Sequence, residues 1–163
     1  MIRLVFNPTA LVARLGRVKE RLADPTPLHE EIGEYVIEAT KARFRIGTAP
    51  DGTKWRPKQP ATIARYKARG DGNKTQPLIG PSGRLGREVN SLATRDQVEI
   101  GSALEYSGVM QGGAARGAFG SDSRGHPLPW GNIPARVWLG LSDTDEHHII
   151  DIADEYVGDA FTE

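Results

Sequence analysis

Apolar residues recur every three to four positions along three long stretches of the chain, a spacing that predicts amphipathic helices. These stretches cover residues 8–23, 26–47 and 143–161. Pro27 in the first turn and Gly47 after the last turn mark the two ends of the second helix. Ser142 is expected to cap the third helix, whose first turn is acidic, as the helix dipole favours.

Shorter patterns predict the remaining elements, which are a β-hairpin, two isolated strands and two short helices. The hairpin is expected over residues 89–94 and 97–101, the isolated strands over 2–6 (Ile2, Leu4, Phe6) and 134–141, and the short helices over 61–69 and 103–111. Ser102 and Glu105 have the spacing of a capping box for the second short helix.

These elements predict an α+β fold in which long helices pack on a small, mainly antiparallel sheet. A chain of 163 residues has the length of one domain, so residues 1–163 are expected to form a single unit. Residues 112–132 carry six glycines and no pattern of secondary structure. Structureless segments longer than about 15 residues are rare in compact domains. We interpret this one as a mobile arm that orders against a neighbouring molecule, and an ordinary flexible insertion is the alternative.

The composition excludes several classes of protein. The chain has no cysteine, which excludes disulfide frameworks, zinc ribbons, cysteine nucleophiles and iron–sulfur sites. No apolar run has the roughly 20 residues that a membrane helix needs, so no membrane contact is expected. The first residues lack the apolar core of a secretory signal, which leads us to expect a cytoplasmic origin.

The formal net charge is zero, but the charges are segregated along the chain. Residues 41–95 hold thirteen Lys and Arg against three Asp and Glu, whereas residues 141–163 hold eight acidic residues and no Lys or Arg. The basic region of one copy would attract the acidic region of another, which favours association between copies. The alternative is that both regions are solvated faces.

The sequence contains no signature of a common enzyme class. It has no Gly-x-Ser-x-Gly elbow, no phosphate-binding loop ending in Gly-Lys-Ser/Thr and no His-Glu-x-x-His motif. A metal-dependent hydrolase is a remaining hypothesis, since Asp143, His147 and Asp151 share one predicted helix face and resemble a ligand set. Acidic residues in the first turns of an exposed helix explain the same pattern. We expect no enzymatic activity, no metal and no cofactor.

The basic middle of the chain suggests contact with nucleic acid. Five cations on or beside the predicted basic helix would contact phosphates without recognising sequence: Lys58, Arg65, Lys67, Arg69 and Lys74. A solvated helix with cations near its C-terminus is the alternative explanation. A small, sequence-independent DNA-binding protein is therefore an alternative function.

Six short pieces of the sequence resemble, in the same order, the phage virion morphogenesis proteins, which are the tail-completion proteins of Mu-like and related tailed phages. They lie at residues 50–55 (PDGTKW), 60–65 (PATIAR), 82–85 (SGRL), 98–101 (VEIG), 106–113 (YSGVMQGG) and 133–142 (IPARVWLGLS). The resemblance extends from about Leu28 to Tyr156. Val137 departs from the proline common in the family, Trp138 replaces a usual Phe, and Ser82 replaces a frequent Thr. We expect Val137 to restore a backbone N–H that joins a sheet.

The resemblance implies a structural role, either completing the tail or joining it to the head. The protein would form a homo-oligomeric ring around the DNA passage, expected to be a hexamer, with other tail and neck proteins as partners and non-specific contact with phage DNA. It would reside in the tail or neck of the virion after assembly in the host cytoplasm. Subunit contacts are expected at Trp55, Arg84, Gln111, Gly112, Gly113, Trp130, Arg136 and Trp138. The guanidinium of Arg136 would pair with an acidic residue of a neighbour, and an intrachain salt bridge is the alternative.

Overall fold

The computed structural model describes residues 3, 5 and 7–162 of the chain. Their elements follow in the order α1 (Thr9–Ala23), α2 (Thr26–Ile46), α3 (Pro60–Ala68), β1 (Asn90–Ala93), β2 (Val98–Gly101), α4 (Ser107–Gly112) and α5 (Asp143–Thr162). This architecture confirms the predicted α+β class. The predicted strand at Ile2, Leu4 and Phe6 lies outside the described residues.

The central element is α2, against which both the hairpin and α5 pack. Gly33 allows the close approach of the hairpin, because a Cβ atom there would lie 2.8 Å from Oγ of Ser91. Gly47 ends the helix in the left-handed conformation, with φ of 76°, and its N–H donates to the carbonyl of Arg43. This is the predicted end of α2, for the predicted reason.

β1 and β2 form the predicted antiparallel hairpin. Asn90 pairs with Gly101 and Ala93 with Val98, so the turn falls at residues 94–97. A two-stranded sheet alone is marginally stable in water, and packing against α2 supplies the missing burial.

Three local predictions were wrong. The helix α4 begins at Ser107 rather than directly after Ser102, whose Oγ accepts the N–H of Leu104 instead of capping a helix. Residues 134–141 belong to no strand, so the N–H of Val137 does not join a sheet. The helix α5, expected with the other long helices to pack on the sheet, packs instead against α1 and α2, and α2 covers the hairpin.

The helix α1 docks on α5 through polar contacts. Nε of Arg17 donates to the carbonyl of Ala160 at 3.2 Å, and Arg21 donates to the carbonyl of Tyr156 at 2.7 Å. No residue of α1 is buried. Its apolar stripe of Leu11, Leu15 and Leu22 is about half exposed, so the described residues cover it only in part.

Candidate functional site

Two of the predicted interface residues, Trp55 and Trp138, lie in the interior of the subunit. Both rings pack against Phe44, with ring centres 5.2 and 6.0 Å away. Their indole N–H groups donate to the carbonyls of Val137 at 2.8 Å and Ser107 at 3.1 Å. Burial of a large apolar side chain contributes about 1.5–3 kcal/mol to folding. Folding therefore gives both tryptophans a role within the subunit, and their contact with a neighbour stays a prediction.

Gln111 fastens the segment of residues 134–142 to α4. Its Oε1 accepts the N–H groups of Trp138 and Leu139 at 2.8 and 3.1 Å, and its Nε2 donates to the carbonyl of Leu139 at 2.8 Å. One amide side chain thus satisfies three backbone groups that a neighbouring strand would otherwise have to satisfy. The predicted subunit contact of Gln111 is untested, whereas its role in the monomer is plain.

The adjacent glycines Gly112 and Gly113 lie in different surroundings. Gly113 has φ of 74° and ψ of 179°, and a Cβ atom there would lie 2.7 Å from both the backbone N of Ala135 and the carbonyl of Ile133. Only glycine fits this close approach of two chain segments. At Gly112, an added Cβ would meet nothing within 4 Å.

Arg136 is held by the backbone of its own subunit. Nε donates to the carbonyl of Arg56 at 2.8 Å, and the two terminal nitrogens donate to the carbonyls of Pro57 and Pro134 at 3.3 and 3.5 Å. Burial, and then the positive charge of Arg56, lower the pKa of Arg136. The expected alternatives were a neighbour's carboxylate or an intrachain salt bridge. Within the described residues Arg136 instead has carbonyl partners and no carboxylate.

Arg136 and Lys58 line a groove of about 480 Å³ between α3, α4 and residues 132–136. We call it the basic groove and define it by six of its lining residues: Lys58, Tyr66, Leu78, Met110, Pro134 and Arg136. The ammonium of Lys58 donates to the carbonyls of Lys74 and Ile79 and lies 4.9 Å from the ring centre of Tyr66. Burial, and then the charge of Arg136, lower the pKa of Lys58.

The buried ion pair of the described residues was missed by the sequence analysis. Arg43 and Asp145 are both buried and form an ion pair, and Arg43 also donates to the carbonyl of Gly140 at 2.9 Å. Asp145 accepts from the N–H and hydroxyl of Ser142, both at 2.7 Å, and from the hydroxyl of Tyr35 at 3.1 Å. The pair thereby ties the end of α2 to the start of α5. The helix-dipole pattern explained each residue separately and concealed their contact.

Two predicted interface residues besides Gly112 lie at the surface. Arg84 forms a bidentate ion pair with the carboxylate of Glu88 on an exposed face, with N···O distances of 2.6 and 2.8 Å. The side chain of Trp130 is 68% exposed, and its ring centre lies 5.2 Å from that of His126. Trp130 is the predicted contact residue with the largest uncovered apolar surface.

The five residues predicted to contact phosphates also divide into exposed and half-buried ones. Arg65, Lys67 and Arg69 are exposed at the end of α3 and have no ion-pair partner within the described part of the chain. Lys58 and Lys74 are half-buried, and the ammonium of Lys58 is bound to backbone carbonyls as described above. The three α3 cations are therefore the better placed for a phosphate backbone.

The glycine-rich segment 112–132 folds back on itself. The N–H of Phe119 donates to the carbonyl of Leu128, and that of Leu128 to Gly120, both at 2.7 Å. At the tip, the carboxylate of Asp122 accepts the N–H groups of Arg124 and His126, each at 2.9 Å. The segment is thus an internally bonded arm, and its mobility in the free subunit stays a prediction.

The described residues form neither a metal-binding cluster nor a membrane-spanning helix. No group of three His, Asp or Glu side chains there is placed to hold a metal ion, and this includes Asp143, His147 and Asp151. Nor does any described helix combine the length and apolar character needed to cross a membrane.

Comparison with known proteins gives one match. The sequence profile of the phage virion morphogenesis family matches residues 7–158, nearly the whole chain. No curated protein and no solved structure matches significantly. The match covers every helix and strand from α1 to most of α5. The chain therefore belongs to the phage virion morphogenesis family, which implies a structural role in the virion rather than a catalytic one.

Proposed function

We propose that this protein completes the phage tail, or joins it to the head, as a ring of identical subunits around the DNA passage. The family match over residues 7–158 carries the proposal. Uncovered surfaces support it, since the apolar stripe of α1 and the side chain of Trp130 are exposed in the single subunit. Large exposed apolar groups are typical of surfaces that other proteins cover.

Assembly in a tailed phage that encodes this chain tests the proposal. Deleting its gene is expected to leave full heads and unjoined or unfinished tails, and adding the purified protein should restore infectious particles. Light scattering of tails with and without the protein should show several copies of the 17.8 kDa chain bound to each tail. Complete, infectious particles formed without the protein would contradict the proposal.

DNA contact is the second candidate function, favoured by the exposed cations of α3. Replacing Arg65, Lys67 and Arg69 by Gln is expected to weaken DNA binding and to make it less sensitive to salt. Each lost phosphate contact lowers the slope of log affinity against log salt by about 0.9.

A matched control removes three other exposed cations, Arg14, Lys19 and Arg95, by the same change to Gln. If both triple variants bind DNA equally, the α3 surface has no special role in DNA contact. Tight binding by a monomer, with no effect of deletion on tails, would favour a separate DNA-binding protein over a tail component.

A further inference from the structure

The basic groove carries more positive charge than the subunit neutralises. Three of its lining side chains are cationic, Lys58, Arg84 and Arg136, and none of its described lining residues is acidic. Arg84 is paired with Glu88 outside the groove. Lys58 and Arg136 are bound to backbone carbonyls, and Lys58 also to the Tyr66 ring, with no carboxylate partner among the described residues. Charges withdrawn from water without a counter-charge are costly, so the groove favours an anionic occupant.

The walls of the groove are largely apolar. Tyr66, Leu78 and Met110 line it from three different parts of the chain. An occupant that carries only charge, such as a bare phosphate, would leave this surface in contact with water. The groove suits an apolar side chain flanked by carboxylates, because such a group matches both the apolar walls and the cations.

The outer surface of α5 has this composition. Ile150 is 58% exposed, and Glu146 and Asp154 lie one turn before and one turn after it on the same face. The helix has no Lys or Arg along its length. We call this surface, defined by Glu146, Ile150 and Asp154, the acidic face. An exposed isoleucine among carboxylates is not explained by packing within the subunit.

The two surfaces do not meet within one subunit. No residue of α5 lines the basic groove. The buried side of α5, which includes Asp145 and Ala160, packs against α1 and α2, whereas the three residues of the acidic face are exposed. Complementary surfaces at separate places on one chain make a head-to-tail contact between copies, which closes into a ring when the rotation allows it.

We propose that the acidic face of one subunit docks in the basic groove of the next, with Ile150 against the apolar walls and Glu146 and Asp154 facing the cations. The occupant of the groove is thus a second copy of this chain. This inference rests on the proposed ring and specifies the contact that builds it.

Site-directed cross-linking tests the contact directly, because the natural chain has no cysteine. Ile150→Cys and Ser82→Cys place single thiols on the acidic face and at an exposed position of the groove. Mixing the two full-length variants with a short bis-maleimide should give covalent dimers, and the double variant should give a ladder that ends at the ring's copy number. The control replaces Ser82→Cys by Leu92→Cys, at an exposed hairpin residue, and should give no dimers.

Charge reversal provides an independent measurement. The pair Glu146→Lys and Asp154→Lys should weaken self-association at least tenfold, measured by sedimentation, and so should the pair Gln59→Glu and Ser82→Glu at the groove. All four residues changed are exposed, so unchanged thermal unfolding confirms that each variant folds. Combining the two pairs should restore association, because each new lysine then faces a new carboxylate.

The outcomes separate this contact from the ring itself. A wild-type protein that assembles, without cross-links and without response to charge reversal, overturns the α5–groove contact and leaves the ring in place. A chain that stays monomeric alone and with purified tails overturns both. If the groove variants lose DNA binding while self-association is unchanged, the groove's partner is DNA and the proposal is wrong.

Discussion

Trp138 and Trp130 lie close in the sequence and at opposite extremes of burial, with 3% and 68% of their surfaces exposed. Trp138 belongs to a segment fastened from several sides, by the amide of Gln111, the ring of Phe44 and the carbonyl of Ser107. Trp130 belongs to an arm whose hydrogen bonds are largely internal, and its ring lies against that of His126 in the same arm.

The difference separates residues that build the subunit from residues available to its neighbours. Most pieces of sequence that carry the family resemblance supply the first group, including Trp55, Gln111 and Gly113, whereas Arg136 both binds carbonyls of its own subunit and lines the basic groove. Such residues identify the family because they hold its fold together. Contacts between subunits have to be sought instead among exposed apolar groups and unneutralised charges, as on α1, the acidic face and the basic groove.

The largest difference in stability is expected between breaking the interior ion pair, Arg43–Asp145, and breaking the surface ion pair, Arg84–Glu88. Asp145→Asn leaves the buried charge of Arg43 without its carboxylate and should lower the free energy of unfolding by about 3–5 kcal/mol. The matched change Glu88→Gln removes the partner of exposed Arg84 and should cost less than about 1 kcal/mol. Urea unfolding of the three proteins measures both effects, and equal losses would contradict the contrast.

The same pair predicts a dependence on pH. Burial would raise the pKa of Asp145, but the hydrogen bonds from Ser142, the charge of Arg43 and the hydroxyl of Tyr35 together hold it below the ordinary value of 3.8. Its stabilisation is therefore fully present above that value and is lost as the pH falls through the lower pKa of the folded state. Between pH 6 and pH 2, the free energy of unfolding should fall less in Asp145→Asn than in the wild type. If the free energy of unfolding falls equally with pH in both proteins, Asp145 is not the cause of the acid destabilisation.

The adjacent glycines Gly112 and Gly113 are expected to differ next most in the stability that their replacement by alanine costs. Gly113→Ala forces a Cβ atom against two backbone segments in a conformation that favours glycine, and should destabilise the fold by about 3 kcal/mol. Gly112→Ala enters open space and should cause no loss. Thermal unfolding of both variants tests this. A Gly113→Ala variant as stable as the wild type would show that the segments at residues 113 and 133–135 do not approach so closely.

The smallest change in stability is expected at a buried residue whose hydroxyl makes no hydrogen bond among the described residues. Thr40 is fully buried in α2, and its hydroxyl has no hydrogen-bond partner among the described residues. Thr40→Val keeps the shape and removes this group, which should stabilise the protein by about 1 kcal/mol. Thr75→Val, at an exposed position, is the control and should leave stability within about 0.5 kcal/mol of the wild type. A loss of stability in Thr40→Val would point to a partner for the hydroxyl.

Elements specified by neighbouring residues were predictable. Pro27 and Gly47 mark the ends of α2, and Ser142 with Asp145 forms the cap of α5 that the sequence indicated. The hairpin followed from two short apolar stretches around one turn. Residues 134–141 were misassigned as a strand because their partner is the side chain of Gln111, 27 and 28 residues away from the N–H groups that it binds.

The candidate site was less predictable than the fold. Arg43 and Asp145 are 102 residues apart, and each has an adequate local explanation as a charge complementing a helix dipole. The basic groove likewise combines α3 and α4 with residues 132–136, which no short pattern connects.

The sequence by itself determined the helical periodicity, the hairpin, the segregation of charge and the family, because these depend on the identity and order of residues along the chain. Only the tertiary structure decided which tryptophan is buried, which arginine is bound by carbonyls and which face of α5 is left outward. Those properties depend on which distant segments meet, and packing determines that for the chain as a whole.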